Sequence, residues 1–462
     1  MKQSFIVRFP QCLVQEMQYS LRVIFEEFLG VDFNGVGHNN NSIEIELEGY
    51  QEKLSINNDF FNNGQTHWKE INSLPKVPLL SWNPRDSGID IKLTDKFIPV
   101  IFGKPGFVNN SESRHLNLDV FGSAFFLLSR YEELVSAPRD EHDRFPVEAS
   151  LAYREGFLER PILDEYIEIL WACMKMIWPD IIRKQHRSQV YVSCDVDVPF
   201  DPTINNVTSL LRVCLGDLVK RKSPIEALKR FNRFCFNRLG IYKFDPMYTF
   251  DWYMDVCEKY NLQAAFYFIP DSSEPNNGCY QINEPRILNL MKNINHRGHE
   301  IGVHGSYYTY QNLTKLKEQI RKLREVVANI NSSIDIIGNR QHYLRWDSLK
   351  TPEYLDLANI KYDTTGSFAE AAGFKYGTSK EFTMWGWSSN APLSIKQRPL
   401  IVMECSIIAD KYSGLGYTDE AMRKMLLLKK RALMFGGNFT ILWHNSHFLT
   451  VQDKVFFEAI LK

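Results

Sequence analysis

Several features that mark special classes of protein are missing from this sequence of 462 residues. Its charge is balanced, with 54 Lys and Arg against 55 Asp and Glu, so it lacks the basic excess with which a general nucleic-acid binder neutralises phosphates. It has no internal repeat and no low-complexity tract. Its longest apolar runs fall short of the roughly 18 residues that a membrane-spanning helix needs. These absences, together with 44% hydrophobic and 24% charged residues, indicate an ordinary globular chain.

Paired cysteines and an apolar leader are also missing. The eight cysteines are far apart and form no Cys-x-x-Cys pair, which is typical of reduced thiols in a large cytosolic protein. Residues 1–10 alternate like a strand and include Arg8, which is not the pattern of a signal peptide. We therefore expect a cytoplasmic protein without a transmembrane segment.

The pattern of apolar residues predicts three consecutive parts. Residues 1–110 read as a small α+β module, with a helix over 15–29 and a strand over 42–47. Residues 111–186 form a mainly helical connecting region. From residue 187 to 462 strands and helices alternate, which predicts an α/β domain with parallel strands at 190–194, 264–269, 300–303 and 439–443.

Ionisable residues stand just past the ends of these predicted strands. Asp195 and Asp197 directly follow the first one. Asp is disfavoured in strands and a buried carboxylate without a partner is costly, so the pair requires a metal, an arginine or a substrate, unless it caps a turn. His304 follows another apolar strand. Histidine is the commonest metal ligand, although a single histidine is more often a hydrogen-bonded core residue.

Three later groups repeat this placement. The segment 340–346 combines two arginines, an imidazole and two aromatic rings, which suits a carboxylate partner beside a sugar-stacking wall. Asp363 and His444 stand at two further predicted strand ends. Taken singly, each group also has a structural interpretation, as a surface turn, a turn cap or a core histidine.

The order of the groups is more informative than any one of them. Asp-x-Asp, His, Arg-x-x-Tyr, Asp and Leu-x-His resemble the motif order of the polysaccharide deacetylases (carbohydrate esterase family 4, the NodB-homology fold) over roughly residues 187–450. Residues 340–378 and the helical stretch 119–171 are similar to a bacterial subgroup in which an uncharacterised N-terminal module precedes the deacetylase domain. The resemblance implies a distorted (β/α) barrel for residues 187–462.

The resemblance also implies a reaction, the hydrolysis of an N-acetyl group on a sugar with the help of a divalent metal, usually zinc. The implied catalytic residues are Asp195 as general base, Arg340 to orient it, His444 as general acid and Asp363 to hold His444. The implied substrate-binding residues are Tyr307, Tyr343 and Trp346. The implied metal ligands are Asp197, His304 and, at the position of the family's second histidine, Tyr308.

Tyr308 departs from the family pattern, which has two histidines four residues apart. A neutral phenol is a poor zinc ligand, because its pKa of about 10 must fall before it binds well. Three outcomes are open. In the first, a metal is bound and the third ligand is Tyr308 as phenolate, His342 or a carboxylate. In the second, the protein is a metal-independent C–N hydrolase of the allantoinase-like type. In the third, it is a non-catalytic carbohydrate-binding or scaffold protein. The ordered set of ionisable groups favours a hydrolase.

One segment breaks the overall charge balance. Residues 212–243 contain nine basic residues against two acidic ones. This stretch is either a solvated helix face or a docking surface for an anionic partner, such as a pyrophosphate-linked sugar or a membrane surface. With a cytoplasmic location, it leads us to expect a nucleotide- or lipid-linked precursor of surface-polysaccharide biosynthesis as the carbohydrate substrate.

Overall fold

The computed structural model describes residues 3–136 and 138–462, and these divide into two compact units. Unit 1 comprises the described residues up to Gln189, together with Leu344–Val402 and Leu427–Phe439; unit 2 comprises Val190–Tyr343, Met403–Leu426 and Thr440–Lys462. The border predicted at residue 187 lies beside the first crossing between the units. The chain returns to unit 1 twice after residue 189, and no local pattern in the sequence indicates these returns. The predicted division into residues 1–110, 111–186 and 187–462 stays a prediction.

The strands are short and are interspersed with α-helices, which makes this a mixed α/β protein. In chain order they are β1 Ser4–Pro10, β2 Asp32–His38, β3 Ile43–Leu47, β4 Lys53–Ile56, β5 Leu80–Trp82, β6 Ile98–Val100, β7 Gly103–Asn109, β8 Arg114–Leu118, β9 Val190–Val196, β10 Ala264–Phe268, β11 Glu300–Gly305, β12 Gly338–Gln341, β13 Tyr362–Asp363, β14 Phe382–Gly386, β15 Ala391–Gln397, β16 Val402–Met403 and β17 Phe439–Leu442.

Among the described residues, no helix has both the length and the apolar character needed to cross a bilayer. The α-helices are α1 Val14–Arg22, α2 Asp59–His67, α3 Val120–Leu128, α4 Tyr131–Val135, α5 Leu151–Arg154, α6 Ile162–Ile177, α7 Val207–Val219, α8 Pro224–Arg238, α9 Phe250–Lys259, α10 Pro285–His296, α11 Leu313–Ala328, α12 Thr351–Leu357, α13 Glu404–Ile408, α14 Asp419–Leu433 and α15 Val451–Leu461. Short 3-10 turns include His342–Leu344 and Asn445–His447.

Unit 1 is built on a six-stranded sheet with the order β2-β1-β3-β4-β8-β7. The strand predicted over 42–47 is confirmed as β3, and it runs antiparallel to β1. Alternate residues of β3 are buried, as the two-residue period of a strand with one covered face requires. The chain is helical over the whole predicted range 15–29, but at Val23 α1 passes into a wider π-helical segment that ends at Leu29, before Gly30 with φ +61°.

Aromatic side chains fill the core of unit 1. The ring of Phe60 meets that of Tyr131 edge-on at 5.1 Å, and Phe125 meets Trp385 in the same way at 5.4 Å. Edge-to-face pairs of this kind add to the burial of a large apolar area. Residues 120–134, part of the region predicted to be mainly helical, form two helices, α3 and α4, because Arg130 between them adopts φ +55°.

Unit 2 carries β9, β10, β11 and β12 side by side, and these four strands are parallel. Asp195 lies opposite Tyr267 of β10, and His304 of β11 lies opposite Arg340 of β12. β17 is the neighbour of β9 on its other side, with Trp443 N donating to Ser193 O at 3.0 Å. The carboxyl ends of parallel strands share one edge, and this edge is where open α/β sheets place their sites.

Candidate active site and metal centre

Asp195 and Arg340 form a buried ion pair at the carboxyl ends of β9 and β12. Nε of Arg340 lies 3.4 Å from Oδ1 of Asp195, and both side chains are almost fully buried. The guanidinium is held in place by Nη2, which donates to Oγ of Ser193 at 2.7 Å, and by the ring of Tyr267, whose centroid is 5.3 Å from Cζ. Arg340 is therefore positioned to hold and orient the Asp195 carboxylate.

One carboxylate and two imidazoles converge beside this pair. Oδ1 of Asp197 lies 3.4 Å from Nε2 of His304 and 3.7 Å from Nε2 of His342. One ligand atom from each of these three residues falls within 4.8 Å of the others. The arrangement follows from the fold, since His304 ends β11 and His342 directly follows β12, the adjacent parallel strand.

The donor set and its surroundings fit a divalent metal ion. Two imidazoles and a carboxylate are ligands that zinc commonly takes. Nδ1 of His304 faces the backbone oxygen of Arg340 at 2.8 Å, so Nδ1 carries the proton and Nε2 turns its lone pair toward Asp197. Oδ1 of Asp197 is buried and accepts no hydrogen bond from the described residues. A bound cation would supply the partner that this oxygen lacks.

The electrostatics of the group lead to the same conclusion. Burial raises the pKa of Asp197, although His304 and His444 act to lower it. Burial also lowers the pKa of His304, which keeps the imidazole neutral, and the neutral form is the one that binds a metal. A buried site that penalises the free Asp197 carboxylate and favours a neutral His304 gains from a positive ion between them.

Tyr308 differs from these three donor residues in its side-chain chemistry and in its solvent exposure. Its side chain is about half exposed (49%), its ring meets that of Tyr307 edge-on at 5.0 Å, and Nζ of Lys315 stands 5.7 Å from its centroid. The position of the family's second histidine is thus taken by a surface tyrosine. His342, which the sequence left as an alternative, is the second imidazole of the group.

His444 is held by Glu404, a residue that the sequence analysis missed. Oε1 of Glu404 lies 2.5 Å from Nδ1 of His444 and 2.7 Å from Nδ1 of His447. Nε2 of His444 points the other way and lies 3.7 Å from Oδ2 of Asp197. Burial acts to lower the pKa of His444, but the Glu404 carboxylate outweighs it, and the pKa of His444 stands well above its usual value.

Asp363 was assigned to hold His444, and its local contacts are those of a turn. Its buried carboxylate accepts from the backbone N of Thr365 at 2.8 Å and from Oγ1 of Thr365 at 2.6 Å, within unit 1. This is the turn-capping interpretation that the sequence also allowed. Like Asp363, Glu404 is an acidic residue that follows a short apolar run, here residues 400–403. The sequence analysis did not select it because it lies in none of the recognised motifs.

The three aromatic residues predicted to bind substrate fall into two groups. Tyr307 and Tyr343 belong to unit 2, where their rings meet edge-on at 5.4 Å, and the ring of Tyr343 lies 4.6 Å from that of His342. Tyr343 has φ +60°, a left-handed conformation that is costly for a non-glycine residue and is often found at functional sites. Trp346 belongs to unit 1, where it is 6% exposed and lines a small cavity with Tyr376 and Trp385.

Family comparisons agree with the resemblance inferred from the motifs. Residues 242–365 match the family model described as polysaccharide deacetylase, and residues 5–179 match a family of unknown function, DUF7033. The chain thus carries a polysaccharide deacetylase domain behind an uncharacterised N-terminal module, as predicted. The deacetylase match includes His304, Arg340 and His342, while Asp195, Asp197, Glu404 and His444 lie outside it. No curated protein matches the chain.

Several solved structures are distantly similar to this chain. A probable polysaccharide deacetylase from Pseudomonas aeruginosa PAO1 shares 9% identity, with 68% of this chain and 90% of that chain covered and a TM-score of 0.36. Puue allantoinase shares 10% identity over 59% of this chain and 82% of that chain, with a TM-score of 0.34. The 4-alpha-glucanotransferase from Thermococcus litoralis shares 12% identity over 59% and 36%, with a TM-score of 0.32. Likenesses at this level do not assign a function.

Proposed function

We propose that this protein is a metal-dependent hydrolase that removes an N-acetyl group from a sugar. The observation that carries the proposal is the convergence of Asp197, His304 and His342 beside the Asp195–Arg340 pair, in unit 2 of a chain with a polysaccharide deacetylase domain. A site that only bound sugar would not need a three-donor group, a buried carboxylate with its own arginine and a charged histidine together. The finer fold proposed with this function is the distorted barrel of the family.

The proposed metal is zinc, held by Asp197, His304 and His342. When bound there, a divalent cation supplies Lewis-acid polarisation of the amide carbonyl. The protein's own part is to hold three donors at the carboxyl ends of β9, β11 and β12 and to keep the imidazole of His304 neutral. We assign Tyr308, whose side chain is half exposed, to the entrance of the substrate site together with Tyr307.

Asp195 and His444 divide the proton transfers. Asp195, oriented by Arg340, takes a proton from the attacking water. His444, kept protonated by Glu404, gives a proton to the nitrogen of the leaving amine, so that acetate and a free amino sugar result. We assign the backbone N–H of Tyr343, a residue with φ +60° directly after His342, to stabilise the oxygen that becomes negative.

The substrate class is inferred from the charge of a neighbouring segment and not from the site residues themselves. We propose an N-acetylated sugar on a nucleotide or lipid carrier, used in surface-polysaccharide biosynthesis, and a cytoplasmic location for the enzyme. The support for an anionic carrier is the basic segment 212–243, which begins 14 residues after Val198. Neither the carrier nor the pathway affects the roles assigned to the site residues.

The decisive experiment compares Asp195→Asn with the unchanged protein on nucleotide-linked and lipid-linked N-acetylhexosamines, with acetate release as the readout. We expect Asp195→Asn to lower kcat by roughly 10²–10⁴ while sugar affinity by calorimetry stays nearly unchanged. Asp255→Asn, in an exposed carboxylate of α9, is the matched control and should keep full activity. Equal acetate release by Asp195→Asn and the unchanged protein would remove Asp195 from the mechanism. If both the unchanged protein and Asp195→Asn bind sugar and neither releases acetate, the protein is a carbohydrate-binding protein and not a hydrolase.

A further inference from the structure

The helical hairpin α7–α8 exposes an unusual number of large apolar side chains. On α7, Val207, Leu211, Leu215 and Leu218 recur at intervals of four, four and three residues, which places them along one side of the helix. Leu211 and Leu215 are 64% and 62% exposed. On α8 and the turn after it, the exposed apolar residues are Ile225, Leu228, Phe231, Phe236, Leu239, Ile241 and Phe244. Single exposed apolar residues are ordinary, but so many on one helical hairpin indicate an interaction surface.

The hairpin is a well-formed element and its exposed face is not a consequence of loose packing. Asp217 of α7 is fully buried, and its Oδ2 lies 2.8 Å from Nε of Arg230 on α8. Arg221 pairs with the other oxygen of Asp217. Leu210 and Ala227 are buried on the inner side. The two helices are therefore fixed against each other, and the outward apolar residues lie on a firm surface.

The same hairpin carries an excess of positive charge. Both acids of the segment 212–243 are already paired, Asp217 with Arg221 and Arg230, and Glu226 with Lys229 at 2.6 Å. The remaining six cations have no ion-pair partner in the part of the chain that the structure describes: Arg212, Lys220, Lys222, Arg233, Arg238 and Lys243. Exposed apolar side chains together with unpaired cations are typical of helices that lie in the interface of an anionic bilayer.

We propose that the α7–α8 hairpin docks the protein onto the surface of an anionic lipid bilayer. Helices of 13 and 15 residues are too short to cross the hydrocarbon core, so they would lie in its interface, with the leucines and phenylalanines inserted and the cations among the headgroups. A second copy of this chain fits less well. A symmetric dimer would place the same six unpaired cations of each copy against one another.

The hairpin is inserted at a specific place in the chain, between β9, which ends in the site residues, and α9. Its base is tied to that edge of the sheet. Oδ1 of Asp245 accepts from the backbone N of Asp201 at 3.1 Å, and Nδ2 of Asn445 donates to the backbone oxygens of Val198 and Met247. Membrane docking would thus bring the edge that carries Asp195 and Asp197 close to lipid-borne molecules. The docking inference itself stands without the proposed chemistry.

Cosedimentation of the full chain with lipid vesicles tests the proposal. The vesicles are phosphatidylcholine alone and an equimolar mixture of phosphatidylcholine and phosphatidylglycerol. The unchanged protein should sediment with the mixed vesicles, far less with phosphatidylcholine, and less with both as salt rises. Leu215→Gln with Leu228→Gln should lower the partition coefficient roughly tenfold or more, since two inserted side chains are lost. Arg212→Gln with Lys220→Gln should lower it roughly fivefold for each cation.

The matched control is Val451→Gln with Val455→Gln, a pair of exposed apolar residues (77% and 56%) on α15 of the same unit. It should bind vesicles like the unchanged protein, and thermal unfolding should show all variants folded. The proposal is overturned if the unchanged protein ignores both vesicles, if it binds them equally at all salt concentrations, or if the hairpin variants bind as well as the control. A dimer that the leucine variants dissociate, in a protein that ignores vesicles, would assign the surface to a second copy.

Discussion

Oε1 of the buried Glu404 lies 2.5 Å from Nδ1 of His444, at the start of α13 and just past the end of β17. The same oxygen accepts the backbone N–H of His444 at 3.1 Å. Two contacts to one residue fix the imidazole so that Nε2 faces Asp197. A buried carboxylate in this position stabilises the imidazolium, and this is why the pKa of His444 is raised despite burial.

The first prediction concerns the pH dependence that this pair produces. A general acid must carry its proton, so kcat should fall only as the pH rises through the raised pKa of His444. Glu404→Gln removes the charge that raises this pKa, and the alkaline fall of kcat should then begin at lower pH, with kcat at neutral pH lowered by about 10²-fold or more. The measurement is a pH–rate profile of acetate release. An alkaline limb at the same pH in Glu404→Gln would contradict the assignment.

The second prediction separates His342 from Tyr308 as a metal ligand. His342→Ala should weaken zinc binding by more than the roughly 10–100-fold that the loss of an outer-shell partner costs, because a direct ligand is removed. Tyr308→Phe, which deletes only the phenol oxygen of a half-exposed residue, should bind zinc as the unchanged protein does. Titration calorimetry with zinc on metal-stripped protein is the measurement. Weaker binding in Tyr308→Phe alone would restore Tyr308 to the ligand set.

The third prediction concerns the geometry of Arg340. Arg340→Lys keeps the positive charge but loses the planar group that reaches both Asp195 and Ser193. Loss of one charge-assisted contact of about 1.5–3 kcal/mol should lower kcat roughly 10–100-fold with KM little changed. Ser193→Ala removes only the second contact and should have a smaller effect on kcat. Steady-state kinetics of both variants decide this, and equal losses would mean that Ser193 rather than the arginine geometry matters.

The fourth prediction is about stability in acid. Burial acts to raise the pKa of Glu133, but Lys375 and Arg130, each 3.0 Å away, hold it at about 2. A depressed folded-state pKa means that the stabilisation is complete above the unfolded-state pKa of about 4.5 and is lost as the pH falls toward 2. Its size is roughly 3 kcal/mol. Urea unfolding of the protein and of Glu133→Gln as a function of pH tests this.

In that comparison, Glu133→Gln should be less stable at neutral pH, because Lys375 and Arg130 both lose a charged partner while they stay buried. It should also lose the part of the acid slope that Glu133 supplies. A slope that is identical in the two proteins would show that other carboxylates cause the acid sensitivity. The group lies wholly within unit 1, so a cooperative urea transition of Glu133→Gln at neutral pH serves as the check that the variant is folded.

Most of the elements that carry the site could be predicted from sequence, since their signals are local. β9, β11 and β17 are short apolar runs that end in an ionisable residue, and such runs predict buried strands with chemistry at their ends. The same reasoning did not indicate the π-helical half of the first predicted helix, because a change of helical period leaves the apolar residues in place. It also did not indicate the break at Arg130, where one left-handed residue separates two helices.

By itself the sequence determined the strand ends, the ionisable residues placed there and the family to which residues 242–365 are related. Only the tertiary structure decided which of those residues meet. His342 joins His304 because β11 and β12 are neighbours, and Glu404 meets His444 although 40 residues separate them. Such pairs depend on how distant strands are ordered and on where the chain returns to its other unit. These are properties of the whole packed chain that no local pattern contains.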